Sequence, residues 1–293
     1  MIKRIVFACV LFVLLYAGLI WLQVFLSSNE QKVSTQNQAD EEVPHKVYSF
    51  SFSKYTPEGQ KQIEIEGDSA NILEKTVFLM NVMAKAYAED TPVTITADKG
   101  KYDKVNNKVK LEKNVIATTE NGTRLLTEEL DIQPDQHRME TEVQAQVKKD
   151  NIDVQGMGAE GDSNLKKVRF KKNVTVLVQD PKDPKAGATT ITCDGPLVID
   201  YETNVAHFQK NVVALDKRGK LTADLMDVFY NKVSKQVSKI VATGNVAIEN
   251  PDGNKTFSDN VVYLAEEGRI ILGGDTEAVY DQNSSKTTQE LLR

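Results

Sequence analysis

Residues 108–119 read KVKLEKNVIATT, a segment in which apolar and polar side chains alternate on either side of Asn114-Val115. Alternation with a period of two is typical of a β-strand with one buried face. Similar segments carry a two-residue mark, usually Asn-Val, at seven places: Asn81-Val82, Asn114-Val115, Glu142-Val143, Asn173-Val174, Asn211-Val212, Asn245-Val246 and, in degenerate form, Asp275-Thr276. Successive marks lie 33, 28, 31, 38, 34 and 30 residues apart, which indicates stacked copies of one supersecondary unit.

The apolar positions keep the same parity on both sides of each mark, which predicts one continuous apolar face through every repeat. Residues 75–88 show this parity too, so we predict a strand there rather than a helix. The predicted apolar face consists of Phe78, Val82, Val109, Leu111, Val115, Val168, Phe170, Val174, Val176, Phe208, Val212, Ile240, Val246 and Ile248.

The position before the Asn breaks this apolar pattern, because it is Lys113, Lys172 or Lys210 in three of the repeats. A sealed core does not accept a lysine ammonium. We therefore predict a corner or rim, where the lysine stem lies on apolar surface and the ammonium reaches water. The Asn that follows tolerates the left-handed backbone of a bend, so we interpret it as a bend residue without catalytic role.

A second mark, a small residue followed by an acid, precedes each Asn-Val. It occurs at Gly67-Asp68, Ala97-Asp98, Cys193-Asp194, Ala223-Asp224 and Ser258-Asp259. Catalytic carboxylates converge in pairs, whereas regularly spaced single acids more often cap turns. Asn-Gly and Asp-Gly turns between the alternating segments are hairpin signals. The sequence thus predicts an all-β fold of repeated antiparallel strand units.

The N-terminal region contains Ile5–Leu26, which are 22 residues without a charge. This length suits a single transmembrane helix. Lys3 and Arg4 precede it, so residues 1–4 are predicted to be a cytoplasmic tip and the rest of the chain to be exported. A cleaved signal peptide is the alternative, but no small-x-small cleavage site ends the apolar segment. Residues 27–46 then form a polar leash, 47–281 the exported domain and 282–293 a polar tail.

Composition argues against several functional classes. The net charge is −6 and acids and bases are mixed along the chain, which speaks against nucleic-acid binding. Cys9 and Cys193 are the two cysteines, and the first lies in the apolar segment, so no disulfide is expected. None of His45, His137 and His207 has a partner at metal-ligand spacing, and no phosphate loop or nucleophile elbow is present. We expect neither an enzyme nor a cofactor or metal.

The chain resembles the LptC family, whose members are OstA-like β-jellyroll proteins of the lipopolysaccharide export system. The resemblance rests on segments such as Lys110–Val115 and Val241–Val246, paired with Thr96-Ala97-Asp98 and Thr222-Ala223-Asp224. A single uncleaved N-terminal helix points to LptC rather than to the soluble bridge protein LptA. The chain is several strands longer than the usual member.

The resemblance implies an elongated, twisted, open β-jellyroll, anchored in the inner membrane with its domain in the periplasm. The apolar face would then be a groove for lipopolysaccharide acyl chains, with the three lysines as its basic rim. Expected partners are lipopolysaccharide, the inner-membrane ABC transporter and an LptA-like protein. Unpaired strand edges are templates for added strands. The predicted partner edges carry Tyr48, Phe50 and Phe52, which share one face of the first strand, and Ile270, Leu272 and Val279 at the end.

Two alternatives stay open at this point. The chain could be an LptA-like bridge component, or a membrane-tethered β scaffold that binds proteins alone. The helix could serve only as a tether or could lodge beside the transporter's helices, for which Ala17 and Gly18 allow close packing. A scaffold would fill its interior with large side chains, whereas a lipid path would leave space between small and medium ones.

Overall fold

The computed structural model describes residues 45–280 apart from residues 56, 58, 60, 88–91, 134–135, 137, 163–164, 180–187 and 235. The predicted helix Ile5–Leu26, the cytoplasmic tip, nearly all of the leash and the polar tail lie outside these residues. In the part of the chain that is described, no helix has the length and apolar character needed to cross a membrane.

The described fold consists of β-strands, and the all-β prediction is confirmed. The strands are β1 (His45–Tyr55), β2 (Lys61–Ile72), β3 (Thr76–Ala86), β4 (Val93–Asp103), β5 (Lys108–Thr119), β6 (Arg124–Gln133), β7 (Arg138–Lys149), β8 (Ile152–Asp162), β9 (Lys167–Gln179), β10 (Ala188–Cys193), β11 (Leu197–Asp200), β12 (Val205–Asp216), β13 (Gly219–Tyr230), β14 (Val237–Glu249), β15 (Lys255–Leu264), β16 (Arg269–Gly273) and β17 (Glu277–Val279). The strand prediction for residues 75–88 is confirmed by β3.

The chain divides into two compact units. Unit 1 comprises Met1–Ala145 and Gly161–Leu165, and unit 2 comprises Gln146–Glu160 and Lys166–Arg293. In unit 1 each strand from β1 to β6 pairs antiparallel with the next one. In unit 2 the same order runs from β12 to β16. These sequential antiparallel pairs agree with the predicted repeat of strand units.

Between β9 and β12 of unit 2 two short strands take the place of one long strand. Both β10 and β11 pair with β9 on one side and with β12 on the other. The chain between them passes close to β9, because a Cβ atom on Gly195 would lie 2.6 Å from the carbonyl oxygen of Lys171. Gly195 also has a φ of 97°, so two separate constraints require a glycine at this position.

The predicted bend at the Asn-Val marks is present in the backbone. Asn81, Asn114, Asn173, Asn211 and Asn245 have φ angles of 48°, 50°, 54°, 52° and 47°. All five side chains are exposed. Asn is one of the few residues that adopts this left-handed region at low cost, so its recurrence in the sequence has a direct backbone cause.

Two kinds of bend differ by one residue. In β5, β9, β12 and β14 the buried residues that flank the bend are four positions apart, as Leu111 and Val115 are. In β3, β13 and β15 they are three apart, as Leu79 and Val82 are. The pairings of β5, β12 and β14 with their neighbours show register shifts at the same places. The longer bends are therefore β-bulges with one extra residue.

The extra residue decides whether the buried positions keep the same parity on both sides of the bend. Four positions are an even step and keep the parity, whereas three positions reverse it. The sequence argument assumed an even step everywhere, and for β3 this was wrong. Val77 and Leu79 are buried there, while Phe78 is 42 % exposed on the opposite face. Phe78 is therefore not part of the interior.

The structure also corrects the third mark and the first strand. In β7 the flanking buried residues are Thr141 and Ala145, so Ala145 stands where the Val of the other marks stands, two residues after Val143. In β1 the φ of Ser49 is 48°, which breaks the alternation between its neighbours. Tyr48 is 67 % exposed, but Phe50 is half-buried against Gly67, so these two side chains do not share a face.

The two sequence marks are halves of one hydrogen-bonded pair. The Asn Nδ2 donates to the Asp Oδ2 of an earlier small-acid mark in Asn81/Asp68 (2.5 Å), Asn114/Asp98 (2.7 Å), Asn211/Asp194 (2.6 Å) and Asn245/Asp224 (2.8 Å). At the degenerate mark the backbone N–H of Asp275 donates to Asp259 Oδ2 at 3.0 Å. Each of these acids therefore links one bend to the next through a hydrogen bond.

Asn114 tests this account of the bend. Asn114→Ala removes the bond to Asp98 and places a poorly suited residue at positive φ, so we expect a loss of about 1–2 kcal/mol in the free energy of unfolding. Asn114→Gly loses the same bond but keeps the left-handed backbone, so its loss should be smaller. Urea unfolding followed by circular dichroism measures both, and equal losses would contradict a backbone role for Asn114.

Candidate functional site

The predicted apolar face is largely buried. Val82, Val109, Leu111, Val115, Val168, Phe170, Val174, Val176, Phe208, Val212 and Val246 each expose no more than 6 % of their surface. Ile240 and Ile248 are half-buried, and Ile248 packs on a cluster formed by Ala223, Ala242, Val246 and Val261. Apart from Phe78, the predicted residues therefore lie on or beside the inner faces of their strands.

An apolar cavity of about 60 Å³ lies inside unit 2. Its walls come from β8 to β14, and the lining residues include Val154, Val176, Ile191, Leu197, Ile199 and Phe208. Only Val176 and Phe208 belong to the predicted groove residues. An apolar space of this kind attracts apolar ligands rather than water, because it offers water no hydrogen-bonding partners.

Three residues with polar groups also belong to the mainly apolar wall of the cavity. Asp200, Tyr201 and Asn204, in and before the turn that joins β11 to β12, contribute to its wall. Backbone N–H groups of Thr203 and Glu202 donate to Asp200, and these bonds lower the pKa of its carboxyl group. Burial raises the pKa of the Tyr201 hydroxyl, and the Lys149 ammonium lies 4.4 Å from the centre of the Tyr201 ring.

Sequence reasoning missed most of the cavity wall because it followed the Asn-Val marks. Val154 lies on β8, and Ile191, Leu197 and Ile199 lie on β10 and β11, which carry no such mark. The signal that could have found them is the period of two in Leu197 and Ile199. Their approach to Phe208 depends on the pairing of β11 with β12, in which Leu197 lies opposite Phe208.

The predicted basic rim lies at the bends. Lys113, Lys172 and Lys210 are all exposed, and Lys113 and Lys210 have φ angles of 66° and 65°. Their exposure agrees with the predicted corner position, and their role as the basic rim of a groove stays a prediction. In β14 the equivalent residue is Gly244, whose Cβ would lie 2.5 Å from Asp224 Oδ2.

The predicted partner edges are outer strands of their units. Among the described pairings β1 pairs with β2 alone, while β16 and β17 both pair with β15. Ile270, Leu272 and Val279 are 52 %, 38 % and 47 % exposed. The Phe52 side chain lies outside the described residues. An exposed apolar edge of this kind is a template for an added strand.

The histidines and Cys193 are the remaining residues that could react or bind a metal. His207 Nδ1 lies 2.7 Å from Asp227 Oδ1 on the neighbouring strand, His45 is exposed and His137 lies outside the described residues. Cys193 is 4 % exposed, and burial raises the pKa of its thiol. Within the described ranges no group of three His, Cys, Asp or Glu side chains is arranged to hold a metal ion.

Comparison with known protein families shows to which family the chain belongs. Residues 12–179, more than half of the 293 residues, match the model of the LptC-related lipopolysaccharide-assembly proteins. The chain belongs to this LptC-related family. Residues 190–292 match a second model, that of the lipopolysaccharide transport proteins LptA and the LptD N-terminal domain. No curated protein matches the chain.

These two matches make the chain a lipopolysaccharide transport protein that is longer than the usual LptC. The first match runs through β9 and therefore continues beyond unit 1, and the second begins in β10. The cavity is lined from both matched regions, since Val176 belongs to the first and Phe208 to the second. The boundary between the families is thus not a boundary between compact units.

Filling the cavity should weaken the uptake of apolar molecules. Ala206 lines it, and Ala206→Leu adds three carbon atoms to the wall. At about 0.8 kcal/mol per excluded methylene, exclusion of two methylenes of the fluorescent fatty acid cis-parinaric acid should weaken its binding roughly tenfold or more. Ala247→Leu is the matched control, because Ala247 is a half-buried alanine on β14 whose strand partners Thr222 and Phe257 do not line the cavity. Equal weakening by both changes would exclude the cavity as the binding site.

Proposed function

We propose that this LptC-related chain is anchored in the inner membrane by Ile5–Leu26 and receives lipopolysaccharide from an inner-membrane ABC transporter. The acyl chains pass along the apolar inner faces of the strands, and the lipid is handed to a periplasmic LptA-like protein. The observation that carries the proposal is the apolar cavity of unit 2, which the predicted residues Val176 and Phe208 both line. The two family matches supply the class of cargo.

The physical basis of transport on this route is transfer of apolar surface out of water. Each methylene removed from water contributes about 0.8 kcal/mol, so a few inner-face positions hold an acyl chain without covalent chemistry. Side chains at the bends, such as Lys113 and Lys210, are exposed and cationic. They suit the phosphate and sugar part of the lipid, which remains in solvent on this proposal.

The outgoing partner is proposed to bind at β16 and β17. Both strands pair with β15, and Ile270, Ile271 and Leu272 are 52 %, 44 % and 38 % exposed. A strand from an LptA-like protein would add its backbone hydrogen bonds to this edge and cover these side chains. The incoming transporter domain is assigned to β1 by the same reasoning.

A second candidate is favoured by the match of residues 190–292 to the LptA and LptD model. On this alternative, strands β10 to β17 replace part of the bridge that LptA otherwise forms. The chain would then carry both the receiving and the bridging segment. A protein-binding scaffold without a lipid path is the remaining alternative, and cargo capture inside unit 2 separates it from both.

Photo-crosslinking tests the lipid path. A diazirine amino acid at Phe208, which is 2 % exposed and lines the cavity, should capture lipopolysaccharide in cells that export it. The same amino acid at Leu215, which is 52 % exposed on the same strand, should not. Immunoblotting for lipopolysaccharide on the purified chain measures both. Equal capture at the two positions would contradict a lipid path through the cavity.

Val279→Pro tests the outgoing edge. Proline has no backbone N–H and so removes one donor from β17, which is only three residues long. We expect loss of co-purification with an LptA-like partner and an unchanged melting temperature. Val279→Ala shortens the side chain but keeps the N–H, so it should retain the partner. Retained capture by the proline variant would count against this edge.

A further inference from the structure

The outer face of β1 to β4 carries a patch of which only Tyr48 belongs to the predicted partner edges. Two cross-strand rows form it, and directly opposed residues of antiparallel strands lie on one face of a sheet. One row runs Lys46, Asn71, Phe78, Lys101, and the other runs Tyr48, Ser69, Met80, Lys99. We call Lys46, Tyr48, Phe78, Met80, Lys99 and Lys101 the basic-aromatic patch.

The patch faces away from the interior of unit 1. The adjacent row of Ala70, Leu79 and Gly100 is buried, which leaves the patch on the opposite face. Tyr48, Phe78 and Met80 are 67 %, 42 % and 40 % exposed. This exposure is unusual for side chains of this size, and exposed apolar groups that lie together mark an interaction surface.

The charge of the patch is purely positive. Its two rows contain three lysines, two neutral polar residues and no carboxylate. The Lys46 ammonium lies 4.8 Å from the centre of the Tyr48 ring, and the Lys101 ammonium lies 5.9 Å from that of Phe78. None of the three lysines forms an ion pair with a described residue, so their charges are available to an external anion.

Acidic residues bound the patch: Asp103 lies two residues beyond Lys101 on β4, and further acids lie on β5. Lys101 is opposite Lys110 and Lys99 is opposite Glu112 on β5. Lys110 is already neutralised, since its ammonium lies 2.9 Å from Glu129 and 3.5 Å from Glu112. The positive field is therefore bounded by Asp103 on β4 and by the acids of β5, and the outer face of unit 1 has a basic side and an acidic side. A broad anionic surface would attract only the basic side.

We propose that the basic-aromatic patch docks on the anionic phospholipid headgroups of the membrane that holds the chain. Lysines with aromatic and apolar neighbours are the side chains that combine attraction to anionic lipids with shallow insertion at the interface. Each lysine near such a surface strengthens binding roughly fivefold. This inference rests on the membrane anchor of the proposed function and adds a second contact between chain and bilayer.

The position of the patch along the chain favours the bilayer as its occupant. Residues 27–44 separate the apolar segment Ile5–Leu26 from β1, and they span at most roughly 60 Å when fully extended. Lys46 and Tyr48 are the second and fourth residues of β1. The patch thus begins directly where the leash joins the strands, in the part of unit 1 closest along the chain to the anchor.

A fluorescent label tests the docking in the full chain. The fluorophore NBD is attached to the thiol that Met80→Cys introduces, in a Cys9→Ala background, because Cys193 is buried and should not react. The chain is reconstituted in vesicles of phosphatidylcholine with or without phosphatidylglycerol. We expect a blue shift and stronger emission only with phosphatidylglycerol, and a smaller response as salt is raised.

Matched variants isolate the patch. A label at Met83→Cys should not respond, because Met83 is a methionine of nearly equal exposure (39 %) beyond the bend at Asn81. Lys99→Glu with Lys101→Glu should abolish the response at position 80. Lys217→Glu with Lys232→Glu makes the same change in net charge at exposed sites of unit 2 and should leave it intact.

Vesicle flotation separates the possible failures. A chain that floats with the vesicles but whose label ignores phosphatidylglycerol overturns the docking alone. A chain that does not float overturns the anchor and this inference with it. A response to lipopolysaccharide micelles without any response to phosphatidylglycerol vesicles would assign the patch to the cargo and also overturn the inference.

Discussion

The bend at each Asn-Val mark is the constraint on which the rest of the structure depends. In a strand with alternating side chains, the buried face has to continue on both sides of a residue whose backbone is left-handed. Asn at φ near 50° allows the turn, and its side chain is held by an Asp on a preceding strand. Where one more residue is inserted, as before Val115 and Val246, the alternation resumes in phase. Within each of these strands the buried face continues beyond the bend because of this local geometry.

The apolar interior of the strands is a feature that the family assignment leads us to expect on physical grounds. A lipopolysaccharide transport protein needs apolar surface that is shielded from water yet not filled. Unit 2 meets this need where β10 and β11 replace one long strand and leave space beside Leu197 and Phe208. The acids along the bends accept hydrogen bonds from Asn side chains, which accounts for their regular spacing without any catalytic role.

Unit 1 and unit 2 each carry an exposed surface, and the two surfaces differ in chemistry. Apolar side chains at the edge strands β16 and β17 suit an added strand, because their backbone pairs only with β15 among the described strands. The basic-aromatic patch on β1 to β4 has paired strand backbones but exposed lysines and aromatic rings. The first surface is suited to another protein and the second to anionic headgroups. Their chemistry differs because one offers backbone groups and the other offers side chains.

The sequence by itself determined the strand class, the place of each bend and most of the buried face, since a period of two and an Asn at left-handed φ are local properties. Val115, Phe170 and Val212 were found in this way. Tertiary structure alone decided that Phe78 faces outward and that Asn114 bonds Asp98. It also decided that Leu197 meets Phe208 at a cavity. These depend on bulges and strand register, which arise from pairing between segments distant in the chain, and no local pattern encodes them.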